Sequence, residues 1–392
     1  MLGMLLLAAN IAVAPTGSWR AVLDLAGGEL RFQLVIGAGV KSPDARFCNG
    51  TACTRITGVR YTADSLVLDI SDYDATIRAA IHGDSLIGIY HNVGNRGPRT
   101  IPFRASRGRW EMAKAPAALL GHWDATYVTE GRKSPRVFSF ANGRNGMTGA
   151  VISNTGDYGT FWGGMQGDSF AIAHFDGSFV YLLTGTLDGD TLRGVFHAGL
   201  RSQTPWTAVR STGRPHLTPP TAMTGADTSA PFRFAFPDLD GRMVSNTDSR
   251  FAGKVVLIDI FGTWCPTCHE AAPVLLDLYR RYHARGLEIV GLAYEVTGDT
   301  ATDAVLVRRF RAKFNLQYPL LLAGTSDAQA AAATLPQLRG FSAFPTTVFL
   351  GRDGRVRLVH AGFVGPATGA AHARQVAAFR ATIERLLAEP RR

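Results

Sequence analysis

Two patterns of apolar residues divide the chain, and one gives way to the other near residue 230. Before that point, short stretches such as Leu30–Ile36, Ser65–Ile70 and Phe179–Leu183 alternate with clusters of Gly, Asp and Asn. A period of two with such punctuation predicts short antiparallel strands joined by tight turns. After it, residues 255–260 (VVLIDI) form an apolar run interrupted only by Asp259, the mark of a strand buried on both faces. Ala271, Val274, Leu275, Leu278 and Tyr282 then recur at helical spacing. A strand over 288–293, a helix over 302–314, a strand over 319–322 and a helix over 328–335 follow. Strands over 346–350 and 356–359 flank Arg352-Asp353-Gly354, and a helix over 372–387 closes the pattern. Strands alternating with helices predict a helix-flanked α/β sheet.

The strand-rich part repeats itself. Gly17-Ser18-Trp19 returns as Gly121-His122-Trp123, and GDSLIGIYH (83–91) returns as GDTLRGVFH (189–197). Each copy closes on a strand carrying arginine, IPFRA at 101–105 and PWTAVR at 205–210. A period of roughly 100 residues with room for seven or eight strands predicts two antiparallel all-β modules, closed or nearly closed into barrels. The opening Gly-x-Trp resembles the start of lipocalin-like barrels. The divisions expected are a signal-like segment (1–14), two β modules (15–115 and 116–213), a Pro- and Thr-rich linker (214–230) and the α/β domain (231–390).

Composition narrows the picture. With 46% hydrophobic and 18% charged residues over 392, the chain is no disordered polyelectrolyte, fibre or polytopic membrane protein. The net charge of +10 is spread thinly. Without a focused basic stripe it predicts no nucleic-acid partner, and at most peripheral contact with an anionic membrane. Residues 1–14 (MLGMLLLAANIAVA) are apolar, too short to span a bilayer, and end like a secretory cleavage site. They predict export to the periplasm or cell envelope, cleaved or as a membrane tether.

Four cysteines occur, in two close pairs. Cys48 and Cys53 bracket the turn-forming Asn49-Gly50-Thr51-Ala52, and in an oxidising compartment would form a structural disulfide across a hairpin. Cys265 and Cys268 lie in Trp264-Cys265-Pro266-Thr267-Cys268, directly after a buried strand and at the start of a helix. That context makes C-x-x-C a thioredoxin-like redox motif, because a helix N-terminus stabilises a thiolate. A proline at the first helical position has no backbone N–H to leave unpaired. Neither further Cys nor a His pair stands at zinc-ligand spacing, so no metal is expected. Asp259, six residues before Cys265, places an acid at the end of a core strand, where a carboxyl is costly unless it is paired or used.

On these residues the chain from about 230 to 390 resembles the TlpA/ResA-type branch of the thioredoxin superfamily, the cell-envelope thiol-disulfide oxidoreductases. The resemblance rests on FRFAFPDLDGRMVS (232–245), VVLIDIFGTWCPTC (255–268), Pro273, GLEIVGLAYE (286–295) and AFPTTVFLGRDGRV (343–356). It implies a thioredoxin-like fold with Pro345 cis and facing the sulfurs, Trp264 packed beside them, and Asp259 moving protons at Cys268. It further implies a redox-active Cys265–Cys268 pair and no other cofactor. The implied partners are a disulfide-bearing client protein and a membrane thiol-electron transporter as reductant. Many members of this branch carry glutamate three residues after the second cysteine. Here that position is Ala271, and Glu270 is turned by about 100° from it and expected to be exposed. His269 reads as a surface residue.

The expected activity is reduction of protein disulfides through a mixed disulfide on Cys265, resolved by Cys268. Two alternatives stand beside it. One is a peroxiredoxin-like peroxidase, distinguished by consumption of peroxide rather than of insulin disulfides. The other is a ligand-binding β-module protein with an accessory redox domain, its pocket drawn from Trp162, His174 and Trp206, with His91 and His197 at equivalent repeat positions.

Overall fold

The computed structural model describes residues 14–39, 43–56, 58–94, 97–214 and 216–390. All of the signal-like segment except Ala14 lies outside them. The first module is a nine-stranded antiparallel meander running from Gly17–Leu25 to Gly97–Arg107. Its first strand pairs with both its second and its ninth, so the sheet rolls round on itself. Ala52–Ile56 and Gly58–Tyr61 form the two ends of the roll and are not paired with each other among the described residues. The second module, Gly121–Thr129 to Ser202–Arg210, has eight strands and closes fully, its first strand pairing with its last.

The repeat is written in the side chains. Trp19 Nε1 donates to Pro15 O at 2.9 Å and Trp123 Nε1 to Leu119 O at 3.0 Å, each four residues back. Arg107 lies over the Trp19 ring and Arg210 over the Trp123 ring, both at 4.1 Å from the centroid. The first closing strand therefore extends past IPFRA, and its matching arginine is Arg107. Gly83 and Gly189 turn the two equivalent hairpins with φ of +57° and +58°, a region where a side chain is strained.

The modules share a core. Phe175 of the closed barrel packs against Phe32 and Phe47 at 4.7 and 4.9 Å and meets Tyr90 edge-on at 5.2 Å. Asn49 of the first module donates to Phe175 O and accepts from Phe175 N. Cys48 and Cys53 are directly opposed across a hairpin and joined by a disulfide.

The C-terminal domain contains β1 (Val255–Phe261), α1 (Pro266–Tyr282), β2 (Leu287–Glu295), α2 (Thr300–Phe314), β3 (Leu320–Thr325), α3 (Ala328–Thr334), β4 (Thr346–Leu350), β5 (Val356–Ala361) and α4 (Ala370–Leu387). The sheet order is β3-β2-β1-β4-β5; β1, β2 and β3 run parallel, and β4 and β5 antiparallel. Every residue of β1 and β2 is buried, Asp259, Glu288 and Glu295 among them, as in strands covered on both faces. Residues 225–226, at the end of the linker stretch, pair with Leu338–Arg339 and so already belong to this domain. No helix among the described residues is long and apolar enough to cross a membrane.

Candidate active site

β1 delivers the chain to the site and α1 carries it away. Cys265 caps α1: its Sγ accepts from Cys268 N at 3.3 Å, and Pro266 begins the helix. Both sulfurs are free thiols. Opposite them the Phe344–Pro345 bond is cis. Cys265 Sγ faces Phe344 O at 3.6 Å, while the Pro345 carbonyl accepts from Gly362 N at 2.7 Å. Thus Phe344, not Pro345, turns its carbonyl to the sulfur. Trp264 is fixed beside the pair by Nε1 donating to Tyr294 O at 2.8 Å and by edge contact with Phe344.

Asp259 lies beneath, buried, with Oδ1 unpartnered among the described residues. Burial pushes its carboxyl up to about 7. Burial also pushes the Cys268 thiol up, helped by its hydrogen bond and charge interaction with Cys265 and by Asp259. A buried acid titrating near neutrality beside a buried thiol is a group that can accept its proton.

Two sequence expectations are overturned. His269 is buried, not on the surface: Nε2 meets Thr263 O at 2.7 Å and Nδ1 meets Lys313 Nζ at 3.2 Å. Its burial, with Lys313 beside it, pushes it down to about 3, so the ring is neutral. Glu270 is not exposed either. Burial, followed by Asp157 and Asp176 of the barrel and by Cys265, pushes it up to about 9.

Phe310 and Phe314 of α2 flank the His269 ring at 4.9 and 5.5 Å, and the β modules add cover from outside the domain. Tyr73 of the first module packs on His269 with ring centroids 4.4 Å apart and planes tilted by 35°, and Asp72 pairs with Lys313 at 2.5 Å. Gly156 of the barrel bridges to Phe363, and Asp157 Oδ1 accepts from Gly365 N at 2.6 Å. Cys265 is left only 5% exposed. Tyr73, Asp157 and Asp176 carry no sequence signal for this position, because only tertiary packing brings them here. Glu295 was findable: it ends the apolar run of β2 as Asp259 nearly ends that of β1. It accepts from Thr263 N at 2.9 Å and Thr263 Oγ1 at 2.6 Å, holding the turn before Trp264.

The residues offered for a ligand pocket do not converge. Trp206 is in the barrel core, and His174 is tied to Thr160 O and Asn49. Among the described residues no group of acids, histidines and cysteines is arranged to hold a metal.

A parallel-stranded core, a dithiol capping the next helix and a cis-proline loop facing it define a thioredoxin-like domain. Residues 225–373 match the Redoxin family, and this part of the chain is a redoxin domain. It is similar to the thiol-disulfide oxidoreductase ResA of Bacillus thuringiensis subsp. konkukian, 27% identical over 123 residues, which cover 31% of this chain and 62% of that protein. ResA of Geobacillus thermodenitrificans is 28% identical over 129 residues, 33% of this chain and 66% of that one. The match thus spans less than two thirds of either relative's length. Among solved structures, a thioredoxin family thiol:disulfide interchange protein from Chlorobium tepidum TLS is 21% identical, with 41% of this chain and 98% of that one covered and a TM-score of 0.32.

Proposed function

We propose that this chain is a thiol-disulfide oxidoreductase of thioredoxin type, exported to the cell envelope and acting as a reductase through Cys265 and Cys268. The observation that carries the reading is the placement of Cys265 Sγ at the α1 N-terminus, with Cys268 N donating to it at 3.3 Å and Asp259 buried below. The Cys265 thiolate attacks one sulfur of a substrate disulfide; a mixed disulfide forms and the first thiol leaves. Asp259 takes the proton of Cys268, whose thiolate then attacks Cys265 and releases the second thiol. Two electrons pass from the enzyme dithiol to the substrate, and a membrane thiol-electron transporter would restore them. The Cys48–Cys53 disulfide supports an oxidising compartment.

Reduction of insulin disulfides tests this. Cys265→Ser is expected to abolish turnover, and Cys268→Ser to accumulate a mixed disulfide visible by intact mass. Full turnover by Cys265→Ser would refute the mechanism. A reduction potential near −270 mV, as in thioredoxin, fits a reductase, whereas one near about −120 mV would make the protein an oxidant.

A further inference from the structure

One mouth of the closed barrel opens into a cavity of about 460 Å³, within the range of small-ligand sites. Tyr127, Arg136, Tyr158 and Phe196 of the barrel line it, Arg99 reaches in from the first module, and Trp264 of the redox motif forms part of its wall. All three folded units therefore meet around one space.

Its chemistry is one-sided. Two guanidinium groups line it and no carboxylate does. Arg136 lies 4.8 Å from the centroid of the Tyr127 ring and 5.8 Å from that of Tyr158. It donates through Nη1 to Pro135 O at 2.7 Å, and Arg99 donates to Ser178 O. Yet the Nε atoms of Arg99 and Arg136 are buried without a partner among the described residues. So is Tyr127 Oη, on a side chain only 3% exposed. Buried donors are rarely left without an acceptor, and guanidinium groups bind carboxylates with directed, charge-assisted bonds. The aromatic rings around them suit the apolar part of the same ligand.

The wall residue Trp264 immediately precedes the attacking cysteine. Cys265 itself lies under the contacts that Tyr73 and Gly156 make with the redoxin domain, so a broad protein surface has no direct approach to it. We infer that the barrel mouth binds a low-molecular-weight disulfide bearing carboxylates and presents it to Cys265. This rests on the dithiol chemistry proposed above and replaces a client protein as the expected substrate. The step balances: Cys265 thiolate and RSSR give the mixed disulfide and one RS⁻. Cys268 thiolate then gives the enzyme disulfide and the second RS⁻.

The test uses the pre-reduced full chain in single turnover, followed by tryptophan fluorescence. The probes are glutathione disulfide (carboxylate-bearing), bis(2-hydroxyethyl) disulfide (neutral) and cystamine (cationic). Glutathione disulfide is expected to react at least tenfold faster than either of the others. Arg136→Gln and Arg99→Gln should each remove about tenfold of that rate and leave the neutral probe unaffected. Arg144→Gln, in the turn that follows the Arg136 strand (Arg132–Gly143), should change nothing. Equal rates for cystamine and glutathione disulfide overturn the proposal, as does an Arg136→Gln protein that slows both probes alike or neither. Insulin reacting faster than glutathione disulfide would return the site to protein clients. Calorimetry on the Cys265→Ser, Cys268→Ser protein separates the two readings. It should bind glutathione disulfide and lose about tenfold in affinity with Arg136→Gln. No binding there overturns the cavity even if exchange is intact. Binding without any oxidation of the dithiol by the three probes would overturn the redox reading alone.

Discussion

Asp259 shows how one buried atom sets a pH dependence. Its carboxyl titrates near 4 in an unfolded chain and at about 7 in the folded one, raised by burial. The folded state therefore holds the proton more tightly. Its contribution is present in full below about 4, and stability is lost as pH rises to about 7. Asp259→Asn removes that titration. Its stability advantage over the wild type should grow between pH 4 and 7, by on the order of 2–4 kcal/mol, and then level off. Denaturant midpoints at pH 4, 5.5, 7 and 8 measure it; a constant difference across that range would show that Asp259 is not the titrating group. The same substitution should slow release of the mixed disulfide, seen as accumulation of that species at pH 7.5. The sequence showed this acid because a lone Asp in VVLIDI stands out against five apolar positions. It could not show that His269 is buried and Glu270 half-buried. Both sit at positions that face solvent on an isolated α1; Phe310, Lys313 and Phe314 of α2 together with Tyr73 of the first module enclose His269, and Asp157 and Asp176 of the barrel lie near Glu270.

At the scale of elements, the repeat was legible because its glycines and tryptophans answer to local backbone demands. Gly17 and Gly121 begin their first strands with φ of +105° and +101°. Gly88 and Gly194 sit where an added Cβ would come within 1.9 Å of a carbonyl on the neighbouring strand. Whether the rolled sheet closes depends on pairing between distant strands, which local alternation does not encode. The same holds for Phe175 entering the core of the other module. Each roll is fastened at its seam by a Trp–Arg pair, Trp19 opposite Arg107 and Trp123 opposite Arg210. Arg107 also donates to Thr16 O, and Arg210 to Leu120 O and Ala118 O. A stacked cation contributes about 0.5–2 kcal/mol, with bonds to the carbonyls adding to it. Arg107→Ala and Arg210→Ala should each destabilise the protein by about 1–2 kcal/mol in urea unfolding. Lysine should restore less than half of the loss, since it lacks the planar fork that lies flat on indole. An unchanged midpoint in both alanine variants would show that the seams hold without them.

For the whole molecule, the consequence of the architecture is that a redox domain with an ordinary sulfur arrangement has its attacking thiol covered from outside. The strongest part of that cover is narrow. Gly156 has φ of +131°, and a Cβ there would lie 2.3 Å from Phe363 O and 3.2 Å from Thr267 Cγ2. No side chain fits between these two units, so Gly156→Val must part them at this edge. The modules themselves do not depend on the contact, because their shared core lies around Phe175 and Phe32, away from the redoxin domain. Far-ultraviolet circular dichroism should thus be unchanged, while alkylation of Cys265 by iodoacetamide at fixed pH should quicken at least tenfold. Reduction of insulin should rise in the same variant, and single-turnover reduction of glutathione disulfide should fall, since Trp264 would no longer close the barrel mouth. An alkylation rate equal to that of the wild type would mean that Cys265 is already reachable and that the β modules do not govern access to it. Opposite changes for the large and the small substrate are the signature to look for, because simple loosening of the fold would move both the same way.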